Sequence, residues 1–115
     1  MTTDSDLERD IVDEARDDWI DLLHVVALVK IVEGGEGRLS LLHRAGPLVV
    51  DLVRQGRLLC GEPSDDSSSF DAWTVSADEA ADILDDYVRR VLAGEQPIVP
   101  GEPCSLALPE RVTSS

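Results

Sequence analysis

The segment from Ser76 to Gly94 carries the strongest folding signal in the chain. Ser76 and Glu79 have the spacing of a capping box, in which each side chain accepts a hydrogen bond from the other residue's backbone amide. Beyond them, apolar residues recur every three or four positions until Gly94, which is a typical helix end. These apolar positions are Ala80, Ile83, Leu84, Tyr87, Val88, Val91 and Leu92. The pattern predicts an amphipathic helix with acids in its first turn and arginines in its last.

The first third of the chain predicts one long helix that begins near Asp6 and ends before Gly34. Apolar residues recur at helical spacing along it, and three glycines between positions 34 and 37 favour a helix end. Its most apolar stretch, residues 19–32, has 14 residues and is interrupted by polar and charged side chains. Since about 20 apolar residues are needed to cross a bilayer, we expect this stretch to be buried in the protein.

Two shorter helices are expected next. The first covers residues 38–44, and a turn at Ala45-Gly46-Pro47 follows it. The second covers residues 47–55 and ends at Gly56, because proline suits the first position of a helix and glycine suits the residue after it. The two segments together predict a helix-turn-helix unit.

A β-hairpin and a C-terminal extension complete the expected order of elements. Residues 57–60 and 70–75 predict two strands, and a polar loop over residues 61–69 joins them. Residues 104–108 are a candidate third strand, and residues 109–115 are expected to fray. An extended connector before the third strand is indicated by Pro97, Pro100 and Pro103.

Three short sequence segments resemble those of a known class of proteins. They are Leu52-Val-Arg-Gln-Gly-Arg-Leu-Leu59, Phe70-Asp-Ala-Trp73, and Ser76-x-x-Glu79-Ala80 with Ile83. In the order found here, over about residues 38–92, these phrases resemble small bacterial proteins of uncharacterised function that have a winged helix-turn-helix-like core. Where the resemblance implies an aromatic strand near residues 104–108, this chain has Cys-Ser-Leu-Ala-Leu.

The resemblance implies an α+β fold of winged-helix type. Residues 1–94 would then form a single domain with a long N-terminal helix, a helix-turn-helix unit, a hairpin wing and a C-terminal helix. Residues 95–115 would form a proline-containing extended segment. A shared fold alone implies no function, so function has to be argued from the side chains.

Charge constrains the kind of partner. The 115 residues include 24 Asp and Glu against 10 Lys and Arg, a net charge of −14. Residues 1–21 and 58–88 hold nine acids each, whereas residues 38–57 carry four arginines and one acid, a net charge of +3. An acidic chain lacks the basic field that nucleic acids and anionic membranes normally require. We therefore expect no membrane binding and give nucleic acid second place.

No residue pattern in the chain indicates catalysis or a bound cofactor. The soft metal ligands are His24, His43, Cys60 and Cys104, and no two of them have a metal-binding spacing. Phosphate-binding and nucleophile motifs are missing from the sequence. We therefore expect a non-enzymatic protein without metal or cofactor. Without an export signal we also expect a cytoplasmic location and free buried thiols.

Two binding hypotheses remain. The favoured one is a protein-interaction domain whose acidic blocks bind a basic protein, as small acidic immunity proteins and antitoxins cover the basic site of a toxin. The alternative is a winged-helix DNA-binding transcriptional regulator, acting as a dimer. A homodimer through the 6–33 helix and a monomer both remain open. Candidate residues for the protein partner are Asp65, Asp66, Asp71, Trp73, Asp78, Asp82 and Asp86, and those for DNA are Arg38, Arg44, Arg54 and Arg57.

Overall fold

The computed structural model describes residues 3–17, 19–63 and 70–109. Within these ranges the chain forms an α+β fold of four helices and one three-stranded antiparallel sheet, which confirms the α+β part of the prediction and not the winged-helix topology. The helices are α1 (Asp4–Asp17), α2 (Leu22–Glu33), α3 (Arg38–Arg54) and α4 (Ala77–Leu92), and the strands are β1 (Leu59–Pro63), β2 (Phe70–Ala72) and β3 (Ser105–Ala107).

Strand β1 lies at the centre of the sheet, between β2 and β3. Both pairings are antiparallel, so the predicted hairpin and the candidate third strand are confirmed. The strand bounds differ from the prediction: β1 begins at Leu59 and continues through residues 61–63 of the predicted loop, and β2 ends at Ala72, so that residues 57–58 and 73–75 are not strand. The rest of the predicted loop, residues 64–69, lies outside the described residues, as does the predicted frayed tail from residue 110 onwards.

The prediction of one uninterrupted helix over residues 6–33 is wrong, because α1 and α2 are separate helices. Between them, Ile20 forms an isolated antiparallel bridge with Leu106, and each backbone amide donates to the other residue's carbonyl. Asp21 then caps α2, since its Oδ1 accepts a hydrogen bond from the backbone amide of His24 at 2.8 Å. The edge of β3 therefore takes up backbone groups that a continuous helix would have used internally.

The predicted turn at Ala45-Gly46-Pro47 is also wrong, because α3 runs without a break through these residues. Gly46 is buried against α4, and a Cβ atom built there would lie 2.7 Å from Cγ1 of Val88. Pro47 cannot donate to the carbonyl of His43, yet the helix continues past it. Close packing on α4 outweighs the local preference for a turn, and the helix-turn-helix unit predicted over residues 38–55 is replaced by one helix.

Helix α4 follows the prediction closely and forms the main partner of α3. The Ser76 hydroxyl accepts a hydrogen bond from the Glu79 amide at 3.1 Å, which confirms the predicted N-cap. Buried residues of all four helices, β1 and β3 join one apolar core, which also includes Ile98, Cys104 and Leu108 from the C-terminal segment. Among the described residues no helix is long and apolar enough to cross a membrane.

Candidate protein-binding surface

Two carboxylates face each other on the hairpin. Glu62 on β1 and Asp71 on β2 are paired in register, and both side chains are exposed. In the part of the chain that the structure describes, neither carboxylate has an ion-pair partner. Like charges directly opposite on paired strands destabilise a sheet, so this arrangement costs the fold some stability. Asp71 was a predicted site residue, whereas Glu62 was not, because its cross-strand partner depends on the register.

Trp73 lies beside this pair, where the hairpin meets the start of α4. Its backbone amide donates to the carbonyl of Cys60 at 2.9 Å, which extends the strand pairing by one residue. Its side chain is half-buried and packs against the core. Together with Ala72, Val75 and Ala80 it lines a small cavity of about 70 Å³. Trp73 therefore joins the hairpin to α4 while keeping part of its ring accessible.

The first turns of α4 place two more predicted site residues near the hairpin. Arg54, at the end of α3, donates to Asp78 Oδ1 at 3.2 Å and to Asp82 Oδ1 at 3.0 Å. The hydrogen bond that Arg54 donates to Asp82, followed by the one that it donates to Asp78, raises the pKa of Arg54 above its ordinary value. Both carboxylates remain largely exposed, at 76% and 72%. Exposed ion pairs of this kind contribute little to stability, so the two acids are available to other cations.

The other three predicted acids are Asp86, Asp65 and Asp66. Asp86 lies two turns further along α4 than Asp78, and it pairs with Arg90 at 2.9 Å. Asp65 and Asp66 lie outside the described residues. Of the seven predicted partner-binding residues, Asp71 and Trp73 thus lie on and just after β2, and Asp78 and Asp82 lie in the first two turns of α4, whose Ala77 and Ala80 line the same cavity as Trp73.

Most of the predicted DNA-binding arginines are engaged by the chain's own acids. Arg44 forms a two-pronged pair with Glu33, at 3.1 and 3.2 Å, and also donates to Asp4. These bonds raise the pKa of Arg44, the bond with Glu33 most strongly. Arg57 lies 3.9 Å from Glu8. With Arg54 paired to α4, three of the four arginines have an ion-pair partner in the chain itself, and only Arg38 lacks one within the described ranges.

The candidate metal ligands are scattered, and they show no common site. His24 Nε2 lies 3.0 Å from Glu14 Oε2, whereas His43 is exposed on α3. Cys60 and Cys104 are buried, free thiols, and the proximity of Cys60 raises the pKa of Cys104. Among the described residues, no group of three or more His, Cys, Asp or Glu could hold a metal ion. Comparison of the chain with protein-family models, curated proteins and solved structures found no match.

Proposed function

We propose that this chain is a non-enzymatic binding protein, and that its acidic face binds a basic protein. The acidic face is defined here by Glu62 and Asp71 on the hairpin and by Asp78, Glu79 and Asp82 at the start of α4. The observation that carries the proposal is the in-register pair of Glu62 and Asp71. Two like charges opposite each other in a sheet add nothing to its stability, and local departures from the stabilising pattern are typical of functional sites.

The charge balance of the acidic face supports this partner. Five carboxylates lie there against one guanidinium, that of Arg54, which leaves a net charge of −4. Such a field speeds the approach of a cationic protein and weakens with salt. Lysine or arginine side chains of the partner would pair with Glu62 and Asp71 directly, and would compete with Arg54 for the exposed oxygens of Asp78 and Asp82.

Trp73 supplies an apolar component next to these charges. Tryptophan is enriched among the residues that dominate binding energies, and a half-buried ring is already fixed in position by the core. An aromatic ring bordered by carboxylates suits a surface that carries both lysine or arginine and apolar groups. Inhibition of a basic enzyme, such as a nuclease, is one form that this binding would take, by analogy with immunity proteins and antitoxins.

The alternative of a winged-helix DNA-binding regulator has less support. Its recognition helix would follow a turn at residues 45–47, where the structure has continuous helix. Its phosphate contacts would come from arginines of which three are paired with internal carboxylates. DNA binding would have to break those pairs. The few remaining cations would release few counterions from the phosphates, which would not offset the repulsion by the negative net charge of the chain.

The proposal is tested by affinity capture with charge-matched variants. The wild-type protein, the variant Glu62→Gln/Asp71→Asn and the control Glu36→Gln/Glu95→Gln are each immobilised and exposed to lysate of the native host, with and without nuclease. Capture is carried out at roughly 50 and 200 mM salt and read by mass spectrometry. Both variants remove two exposed charges, but the control residues lie after α2 and after α4, away from the hairpin.

The expected result is a basic protein in stoichiometric amount that wild type and control both retain after nuclease treatment. The hairpin variant should lose most of it, and should associate more slowly at the lower salt. Equal capture by all three proteins would remove the hairpin from the interface. Failure to retain any basic protein, or recovery of nuclease-sensitive DNA instead, would overturn the proposal.

A further inference from the structure

A second surface, at the opposite end of α3, has a different chemistry. A groove of about 380 Å³ runs between α2 and the first turn of α3. This basic groove is lined mainly by Leu23, Val26, Ala27 and Lys30 of α2 and by Arg38 and Leu41 of α3. Because α3 rises about 1.5 Å per residue, Arg38 lies roughly 24 Å along the helix from Arg54 and the acidic face.

The two cations of the basic groove differ from the others in the chain. Seven described arginines each lie within ion-pair distance of a carboxylate of the chain: Arg9, Arg16, Arg44, Arg54, Arg57, Arg89 and Arg90. Lys30 and Arg38 are exposed and have no such partner among the described residues. The two cations that lack an ion-pair partner in the described ranges thus lie beside the same apolar groove.

The start of α3 adds to the positive character of the basic groove. Gly37, at the N-cap, supplies no side-chain hydrogen bond, and the first turn of α3 contains no acid. The free backbone amides at a helix start favour negative groups, yet Arg38 occupies the first helical position. By contrast, α1 and α4 each have two acids in their first turns. A carboxylate from another molecule would complement both Arg38 and the end of the helix.

The floor and one wall of the basic groove are apolar. Leu23 and Ala27 follow one another at helical spacing on α2, and Ile31, one turn beyond Ala27, is 80% exposed. This stripe covers about two helical turns, or roughly 12 Å, which matches the apolar side of a short amphipathic helix. A groove between two packed helices accepts a third helix with apolar anchors at positions i, i+3 or i+4, and i+7.

We infer that the basic groove binds an acidic amphipathic helix of a partner protein, whose apolar side lies on Leu23 and Ala27 and whose carboxylates pair with Lys30 and Arg38. A second copy of this chain fits the groove less well. A two-fold contact of groove against groove would bring two lysines and two arginines together without carboxylates between them. The inference does not depend on the proposed function, because it concerns a different surface and a partner of opposite charge.

The test selects ligands from a phage-displayed library of random 16-residue peptides on the wild-type protein. The enriched peptides are synthesised, and their binding is measured by fluorescence anisotropy. Two variants are compared: Lys30→Glu/Arg38→Glu, which reverses both groove charges, and the control Arg89→Glu/Arg90→Glu, which makes the same change in charge at the end of α4. Circular dichroism and thermal unfolding verify that both variants fold, as expected for exposed side chains.

The expected peptides carry Asp or Glu beside apolar residues at helical spacing, and they gain helical circular dichroism on binding. The groove variant should bind them at least about tenfold more weakly, whereas the control should bind them as the wild type does. Enrichment of basic peptides, equal loss in both variants, or no peptide that binds below about 1 mM would overturn the inference. The inference would also be overturned if analytical ultracentrifugation showed that the wild type is a dimer and the groove variant a monomer, because a second copy would then occupy the groove.

Discussion

Glu62 and Asp71 stand opposite each other on paired antiparallel strands, and both carboxylates point into solvent without a cation of the described chain beside them. The adjacent acids of α4 are treated differently, since Asp78 and Asp82 share Arg54. Asp78 and Asp82 thus have a cation of the chain beside them, whereas Glu62 and Asp71 have none among the described residues. If the pair is kept for binding, then stability and binding should respond in opposite directions when its charge is changed.

The variant Glu62→Lys should be more stable than the wild type. It replaces a cross-strand repulsion with an attraction, which is expected to raise the free energy of unfolding by roughly 0.5–1 kcal/mol. Urea denaturation at low salt measures the gain, and added salt should reduce it. The same variant should lose the basic partner. A hairpin that is unchanged or destabilised by this substitution would show that the two carboxylates do not repel each other significantly.

Gly46→Ala should destabilise the protein, although alanine normally stabilises a helix relative to glycine. The new methyl group would lie 2.7 Å from Cγ1 of Val88, which forces α3 and α4 apart. The expected loss is about 1–3 kcal/mol in urea denaturation. Val88→Ala serves as the matched control, because it removes the clashing methyl groups. In the double variant Gly46→Ala should cost much less, and a cost as large as in the wild type would place the strain elsewhere.

The elements that the sequence predicts correctly are those for which local chemistry and tertiary packing favour the same structure. The Ser76 cap, the apolar stripe of α4 and the glycine at its end all favour the same helix, and tertiary contacts do not compete with them. The hairpin was predictable for the same reason. On the acidic face, Asp71, Trp73, Asp78 and Asp82 could be proposed as acids or aromatics within an acidic block.

The predicted helix over residues 6–33 and the predicted turn at Gly46 are wrong because contacts with a distant segment determine the local structure. The break at Ile20 depends on a backbone bridge to Leu106, which is 86 positions away in a chain whose helical periodicity continues through residue 20. Gly46 has the sequence appearance of a turn residue and instead makes room for Val88. The role of Glu62 depends on strand register, and the internal pairing of the arginines depends on how the helices pack. Neither the Glu62–Asp71 register nor the pairing of the arginines produces a residue pattern that can be detected within a single segment of the sequence.

Asp21→Ala should loosen the connection between α1, α2 and the C-terminal segment. One carboxylate oxygen caps α2 through the His24 amide, and the other accepts a hydrogen bond from the Gly101 amide at 2.8 Å. Loss of an N-cap alone costs about 1–2 kcal/mol, and the second bond adds to this. Hydrogen exchange should show faster exchange at the amides of His24 and Gly101. In the control variant Asp10→Ala, exchange at both amides should be unchanged. Unchanged exchange at Gly101 in Asp21→Ala would contradict the proposed contribution of the hydrogen bond between Asp21 and Gly101.

The buried thiol of Cys104 should make the protein less stable in alkali. The hydrogen bond with Cys60 and burial both raise the pKa of the Cys104 thiol above its ordinary value, whereas in the unfolded chain it ionises near pH 8.5. Because the folded pKa is the higher one, the stabilising effect is complete below the unfolded pKa and is lost as the pH rises beyond it. Urea denaturation from pH 7 to 10 should therefore show a falling free energy of unfolding. Cys104→Ala should be less stable at pH 7 but decline less steeply, and an identical pH slope in the two proteins would assign the alkaline loss to other groups.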